Sequence, residues 1–346
     1  MVAVWYATRE DVKRATDTRE TARNNQQVDR AIASATDSIE TDQLHRVFYP
    51  EVAARAFDWP SHVDREDGAR TVALGRDELI ACTEIRVAGV LVDPAHYTLL
   101  AAGQSGDGPY TAVELDATVT LPDGVAGRRA VEITGVYGYW DREDPAGALA
   151  AAVADTITTA VTDSAAVGVG HLLKVGAERM IVSGRSMVDT GQNLAGNVTS
   201  TESARVVPVG SGAAFVEGEV VMVDAEKMLI TEIAGNTLIV KRAWDGSALA
   251  EHATGADVYA PRRLAVARGA LGTIAATHAQ GAAVTTHRIP DLVRQLCIGE
   301  ALVAVAQENT GYGRKVGSGD AERDAAGAGL EDLRTRAYAA HGRRRF

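Results

Sequence analysis

The spacing of apolar residues changes several times along the chain. Val28, Ile32, Ala35 and Ile39 fall on one helical stripe, with Arg30, Asp37 and Glu40 opposite, so residues 26–44 are predicted as an amphipathic helix that needs a partner. Before it, residues 8–20 read as a short polar helix, with Thr8 as N-cap and Glu10 and Asp11 in the first turn. After Val47-Phe48-Tyr49-Pro50 the period shortens. Residues 71–74, 79–87, 90–93, 97–100, 111–116 and 129–137 are rich in Val, Ile, Thr and Leu and are cut by Gly, Pro and Asp, which predicts strands. Residues 86–92 read as a hairpin turning at Ala88-Gly89, and residues 103–109 as a loop. Pro145 suits the first turn of an Ala-rich helix over 146–163. Pro290 suits the start of another, with Leu292, Val293, Leu296, Cys297, Ala301 and Ala304 on one face, stopping before Gly311. A Gly-Ser-Gly-Asp joint at 317–320 then leads to a last helix over 322–341, with Leu330, Leu333, Ala337 and Tyr338 on one side.

Between these helices the chain repeats itself. Residues 170–182 align with 218–230 without a gap, sharing Gly170/Gly218, Val175/Val223, Ala177/Ala225, Glu178/Glu226 and Met180/Met228. Residues 238–262 align with 264–288, identical at 11 of 25 positions, among them Arg242/Arg268, Gly246/Gly272, His252/His278 and Gly255/Gly281. That density marks duplicated modules, and their lengths suit hairpins. Thr237-Leu-Ile-Val-Lys241 alternates with a period of two after the Gly235-Asn236 turn, so 164–288 is expected to be a small β-barrel or sandwich.

Composition narrows the class. The 346 residues suit about two domains or one core with a large insertion. With 46% hydrophobic and 23% charged residues, the chain reads as globular. No apolar run approaches the roughly 18 residues of a bilayer span, and the N-terminus has no basic region followed by an apolar one, so neither a membrane span nor a secretory signal is expected. Cys82 and Cys297 match no metal or redox spacing and read as small core residues in a reducing compartment. The net charge of −11 is uneven: residues 1–163 carry −12, residues 164–288 zero and residues 289–346 +1. An acidic first half disfavours gripping of nucleic acid, and solubility is its plainest use.

Signatures of chemistry are sparse. The sequence has no Gly-x-Ser-x-Gly elbow, no P-loop and no clustered metal-ligand spacing, so no catalytic, cofactor or metal residue is assigned. Gly168-Val-Gly170 and Gly311-Tyr-Gly313 lack the third glycine of a dinucleotide fingerprint. His252 and His278 each follow an arginine by ten positions. A metal pair would need further ligands, so each is read as bonding the backbone of a long loop and closing it against the arginine-bearing strand. Glu178 and Glu226 invite an acid–base reading, but duplicated scaffolding accounts for them together with Arg242 and Arg268. Arg343, Arg344, Arg345 and Phe346 combine three cations with a terminal aromatic, suited either to docking on a partner or to a solvated tail. Tyr137, Tyr139 and Trp140 read as an aromatic cluster capping a sheet.

Several short motifs, in order, resemble one family. Asp11-Val-Lys-Arg-Ala15, Val28-Asp-Arg-Ala-Ile-Ala-Ser-Ala35 with Ile39-Glu40, and Arg46-Val-Phe-Tyr-Pro50 resemble the N-terminal layout of head-to-tail adaptor (connector) proteins of long-tailed bacteriophages, those of actinobacterial hosts in particular. Glu84–Pro94 with Tyr97 is similar to the strand pair that follows, and Val131–Tyr139 to a strand ending in a glycine–aromatic corner. The Arg-x-x-x-Gly-Ser/Thr and His-Ala-x-Gly-Ala repeats resemble β-modules of larger phage connector and tail proteins, and residues 311–320 also fit that group. The chain departs from the smallest members by its insertion at 164–288.

The resemblance implies a non-enzymatic virion protein with no cofactor. It would form a dodecameric ring, meet the portal on one side and a tail-side neck or tail-terminator protein on the other, and let DNA pass without sequence-specific binding. It would be assembled in the host bacterial cytoplasm. The expected fold is α+β: a helical adaptor bundle from N- and C-terminal segments (1–50, 146–163 and 289–346), a β-rich segment (51–145) and the inserted duplicated β-domain (164–288), with Arg343–Phe346 as candidate portal-docking residues. The alternatives are a tail-tube or baseplate structural protein and a hydrolase with a β accessory domain.

Overall fold

The computed structural model describes residues 3–16, 25–61, 68–101, 109–154, 157–309, 315–316, 323–324 and 328–343. The chain divides into two units: one of 39–142, 271–273 and 340–346, the other of 1–38, 143–270 and 274–339.

The first is a seven-stranded antiparallel unit. Its strands are β1 (Glu51–Phe57), β2 (Arg70–Ala73), β3 (Leu79–Val87), β4 (Val90–Leu91), β5 (Tyr97–Ala101), β6 (Tyr110–Leu115) and β7 (Val131–Tyr137). They run in the order β1-β7-β3-β6-β2, with β4 on β3 and β5 on β6. Alternation drives this sheet: along β7 the odd positions Val131, Ile133, Gly135 and Tyr137 point inward, and Val131, Ile133 and Tyr137 join Leu79, Ile85, Val113 and Leu115 in the core. The β3–β4 turn is tight because Ala88 (φ 49°) and Gly89 (φ 83°) are both left-handed. Gly138 ends β7 at φ 137°, where a Cβ would lie 2.3 Å from the Tyr49 carbonyl oxygen. Phe48, Tyr139, Trp140 and His341 then meet edge to face beyond the strand.

Among the described residues, the second unit holds a ten-stranded antiparallel sheet, a short antiparallel pair (Lys315–Val316 with Arg323–Asp324) and the helices α1 (Arg9–Thr16), α2 (Asn25–Ser38), α3 (Asp291–Asn309) and most of α4 (Ala328–His341). The strands of the large sheet are β8 (Glu143–Ala148), β9 (Thr158–Ala160), β10 (Leu172–Val175), β11 (Glu178–Asn193), β12 (Val206–Pro208), β13 (Val220–Val223), β14 (Glu226–Ala234), β15 (Thr237–Lys241), β16 (Asp257–Ala267) and β17 (Ala283–His287). These strands form two small barrels that share the two long strands. Barrel one uses β8, β9, β10, β17, the start of β11 and the end of β16. Barrel two uses β12–β15, the end of β11 and the start of β16. Each closes on an isolated bridge, Leu149↔Val161 in one and Leu194↔Val209 in the other.

The two repeats of the sequence are therefore one repeat. Lys174↔Thr285 in barrel one corresponds to Met222↔Tyr259 in barrel two, and Val182↔Val266 to Ile230↔Val240. The edge pair Ala160↔Arg263 corresponds to Pro208↔Thr237. The cores match as well: Leu149, Val153, Val161, Val167 and Met180 occupy the places of Leu194, Val198, Val209, Phe215 and Met228. Barrel two is a continuous stretch nested inside barrel one, whose halves lie on either side of it in sequence.

Two expectations are overturned. The molecule is mostly antiparallel β-sheet, not a helical adaptor bundle. The predicted 146–163 helix is instead the end of β8, a bridge at Val153 and β9. Pro145 pairs with Thr285 inside β8. Ala146, Leu149, Val153 and Val161 are buried in a barrel core, and that tertiary burial overrides the helix propensity of their alanine neighbours. The helices that do form pack on one another: α2 lies along α3, where the Thr36 hydroxyl meets the Cys297 sulfur at 3.7 Å, and α1 touches both. Cys297 is buried and Cys82 half-buried, both as free thiols. Among the described residues, no helix is long and apolar enough to cross a membrane. The proposed 103–109 loop and 317–320 joint lie outside the described residues, apart from Pro109.

Candidate functional site: twin Glu–Arg–His clusters

The repeated charged residues of each barrel come together. In barrel two the β13–β14 hairpin places Glu226 just after its turn, Arg242 follows β15, and His252 lies on the loop that returns to β16. Glu226 is fully buried. It accepts from Arg242 Nε and Nη2 at 2.7 Å each, from the Ala243 and Ala250 backbone N–H groups at 2.9 Å each, and lies 3.0 Å from His252 Nε2. Arg242 Nη1 donates to the carbonyls of Thr199 and Ala204 at 3.0 Å, and Nη2 to Ala250 O at 2.6 Å.

Barrel one builds the same cluster. Glu178 accepts from Arg268 Nε and Nη2 at 2.7 Å and from the Gly269 and Ala276 N–H groups at 3.0 Å, with His278 Nε2 at 2.7 Å. Arg268 also donates to the Ala154 and Ala276 carbonyls. The copies differ beside the histidine: Asp224 Oδ2 lies 2.7 Å from His252 Nδ1, where barrel one has Gly176 in place of Asp224.

The electrostatics follow from this geometry. Burial works against ionisation of both glutamates, but the guanidinium fork, two backbone N–H groups and the histidine outweigh it, bringing each carboxyl down to about 2. A carboxylate has about four acceptor positions. Five donors converge on each of these, so neither has capacity left for a substrate proton. The arrangement is a clasp: it ties a long loop to the hairpin turn and satisfies the loop's backbone. The histidine side chains thus bond the glutamates and not, as expected, the loop backbone. Their own main chains pair with other connecting segments, His252 with Val198 and His278 with Val153, and not with the arginine-bearing strands.

Of the candidate docking residues, Arg343 is tied within its own unit: its N–H donates to Leu44 O at 3.0 Å and its guanidinium to the Gly75 carbonyl. Arg344, Arg345 and Phe346 lie outside the described residues. The seven-stranded unit holds a cavity of about 310 Å³ whose lining includes Glu51, Asp77, Glu78 and Tyr137. Burial pushes the Glu78 carboxyl above its ordinary value, and Arg46, 3.0 Å away, offsets this only in part. Arg55 bonds both Glu51 and Asp77. These carboxylates are therefore ion-paired and do not form an acid facing an unoccupied base.

One buried ion pair went unanticipated. Glu219 is fully buried, accepts from Arg262 at 2.8 Å through both oxygens, and takes the Ser164 hydroxyl at 2.6 Å. The identity of Arg262 with Arg288 in the repeat was its one visible signal; Glu219 stands where the first copy has His171, so no matching acid marked it. The polar cavity beside α1, built from Lys13, Arg14, Lys227 and Asp245, was also invisible, because its residues are far apart in the chain. Compared with known proteins, this chain matches no family model, no curated protein and no solved structure.

Proposed function

We propose that the chain is a structural protein of a long-tailed bacteriophage virion, a head-to-tail adaptor that closes into a ring between portal and tail. The observation that carries this reading is the fate of the duplicated charged residues: in both barrels Glu, Arg and His are consumed in holding one loop. The repeat is thus built as scaffold. Ring closure needs scaffolds that present different faces to their two neighbours, and two related but non-identical barrels supply such faces. The adaptor-like motifs from Asp11 to Tyr139 point to the phage neck. In this role the −12 charge of residues 1–163 keeps passing DNA from adhering to the protein. Because Arg343 is held within its own unit, docking on the portal is assigned to Arg344, Arg345 and Phe346.

Negative-stain imaging of the purified protein, alone and with the portal of the same phage, tests the reading. Twelve-fold rings seated on the portal are expected. Six-fold stacking rings would favour the tail-tube or baseplate alternative, and failure to assemble with or without portal would overturn the proposal. Deleting residues 344–346 should abolish co-sedimentation with portal.

A further inference from the structure

The clasps of the two barrels differ at one residue. Each histidine gives its Nε2–H to a buried glutamate, His252 to Glu226 at 3.0 Å and His278 to Glu178 at 2.7 Å. In barrel two the other ring nitrogen, Nδ1, lies 2.7 Å from Asp224 Oδ2. Barrel one has Gly176 at the place of Asp224. Both residues sit in the tight turn of the hairpin, and both are left-handed, Asp224 at φ 52° and Gly176 at φ 57°. A left-handed backbone costs an aspartate more than a glycine, so Asp224 stands there against its own backbone preference.

The proton count follows from the contacts. A carboxylate only accepts hydrogen bonds, so a ring nitrogen at hydrogen-bond distance from one must carry a hydrogen. His252 has a carboxylate at each nitrogen, and the proton shared with Asp224 belongs on imidazole, the stronger base. The ring is therefore an imidazolium, although its side chain is fully buried. Among the described residues, the charged groups around it are Asp224 in the β13–β14 turn, Glu226 at the start of β14 and Arg242 after β15, while the Val198 segment pairs with His252 through its main chain. Two anions and two cations balance. In barrel one Glu178 and Arg268 already balance, and a neutral His278 suffices. The charge that Asp224 adds is matched by the extra proton.

We propose that Asp224, His252 and Glu226 form a pH-sensitive latch on the 243–256 loop of barrel two, closed while His252 is protonated and released by base. Loss of the Nδ1 proton sets a ring lone pair against Asp224 Oδ2. Asp224 is 63% exposed and can turn out to water, but the histidine then loses one of its two ties to the hairpin. The folded state holds a proton that the unfolded chain releases first. The latch's contribution is therefore complete below the ordinary imidazole range of about 6.5 and is lost as pH rises above it. Barrel one lacks the device. The latch rests on barrel two alone and holds whether or not the chain closes into rings.

Proton–nitrogen correlation spectra of the histidine rings in the full-length protein read the latch directly. At about pH 7.5, where a free imidazole is mostly neutral, the His252 ring should show two protonated nitrogens. Asp224→Gly should leave it with one bare nitrogen; glycine suits the left-handed turn, so this variant should fold. Thermal melts give a second readout. Between about pH 6 and about pH 9 the wild-type midpoint should fall about 2–4 °C further than that of Asp224→Gly, the equivalent of roughly ten-fold in the folding equilibrium. A bare nitrogen on His252 of the wild type at about pH 7.5, or equal pH dependence of the two melts, overturns the proposal.

Discussion

Glu226 shows how a buried charge can serve as a structural clasp. Its partner Arg242 has a side chain only 2% exposed, so Glu226→Gln would leave a buried guanidinium charge without its counter-ion, held only by neutral acceptors: the amide oxygen and the Thr199, Ala204 and Ala250 carbonyls. Breaking such a pair costs about 3–5 kcal/mol, and urea denaturation of the variant should show a loss of that order. The pH dependence has a definite sign. Both glutamates titrate lower in the folded protein than their ordinary value of 4.5, at about 2. Their contribution is therefore complete above the ordinary glutamate range and is lost as pH falls toward about 2. Acid titration of the melting midpoint should fall across that window, and more shallowly in Glu226→Gln. Ala243 offers an opposite prediction. It sits at φ 52°, where its repeat counterpart is Gly269 at φ 58°. Ala243→Gly should stabilise the protein by about 0.5–1 kcal/mol, relief of left-handed strain exceeding the added unfolded-state entropy. A lowered midpoint would count against the strain argument.

At the scale of elements, α1 begins as its sequence implies. Thr8 Oγ1 accepts from Asp11 N–H at 3.0 Å, and Asp11 Oδ2 accepts from Thr8 N–H at 3.0 Å, a reciprocal cap. Thr8→Ala should cost about 1 kcal/mol, and amide exchange should rise at Asp11 and Val12 first. The strands from β2 to β7 follow the predicted runs closely because alternation and turn signals coincide there, as at Ala88-Gly89. Strand β1, Glu51–Phe57, has no such pattern: three of its seven residues are alanine, and its pairing is supplied by β7. The 146–163 segment fails the other way. Its alanines favour a helix in isolation, while Gly147 at φ 76° and the buried Leu149 and Val153 fit only the barrel.

The whole molecule shows a nested duplication. Barrel two runs unbroken from the end of β11 to the start of β16 and buries its own core, from Leu194 to Val258. A fragment of residues 190–262 should therefore fold alone, with dispersed amide resonances and a cooperative melt. If it stays unfolded, the shared strands β11 and β16 carry more of its stability than its core does. The duplicated loops have also taken on different tasks. Asp245 at one tip meets Lys13 of α1, whereas Leu271 at the other accepts from Val52 N–H of β1 at 2.9 Å. Both tips keep left-handed residues, Asp245-Gly246 and Leu271-Gly272, so the turn was retained while its side chains diverged.

The sequence by itself determined what depends on neighbours along the chain: the caps and stripes of α1, α2 and α3, the runs of β2–β7, and the existence of a repeat bearing Glu, Arg and His. Local spacing is enough for these because a helix face or strand face is set within a few residues. Only the tertiary structure decided that two repeat offsets describe one barrel, that residues 146–163 close it as strands, and that each glutamate is saturated by its arginine, histidine and loop. Those outcomes depend on pairings across tens of residues, such as Glu178 with His278, which no local pattern encodes. The cavity between α1 and barrel two belongs to the same class, since Lys13 and Asp245 meet only once the barrel has closed.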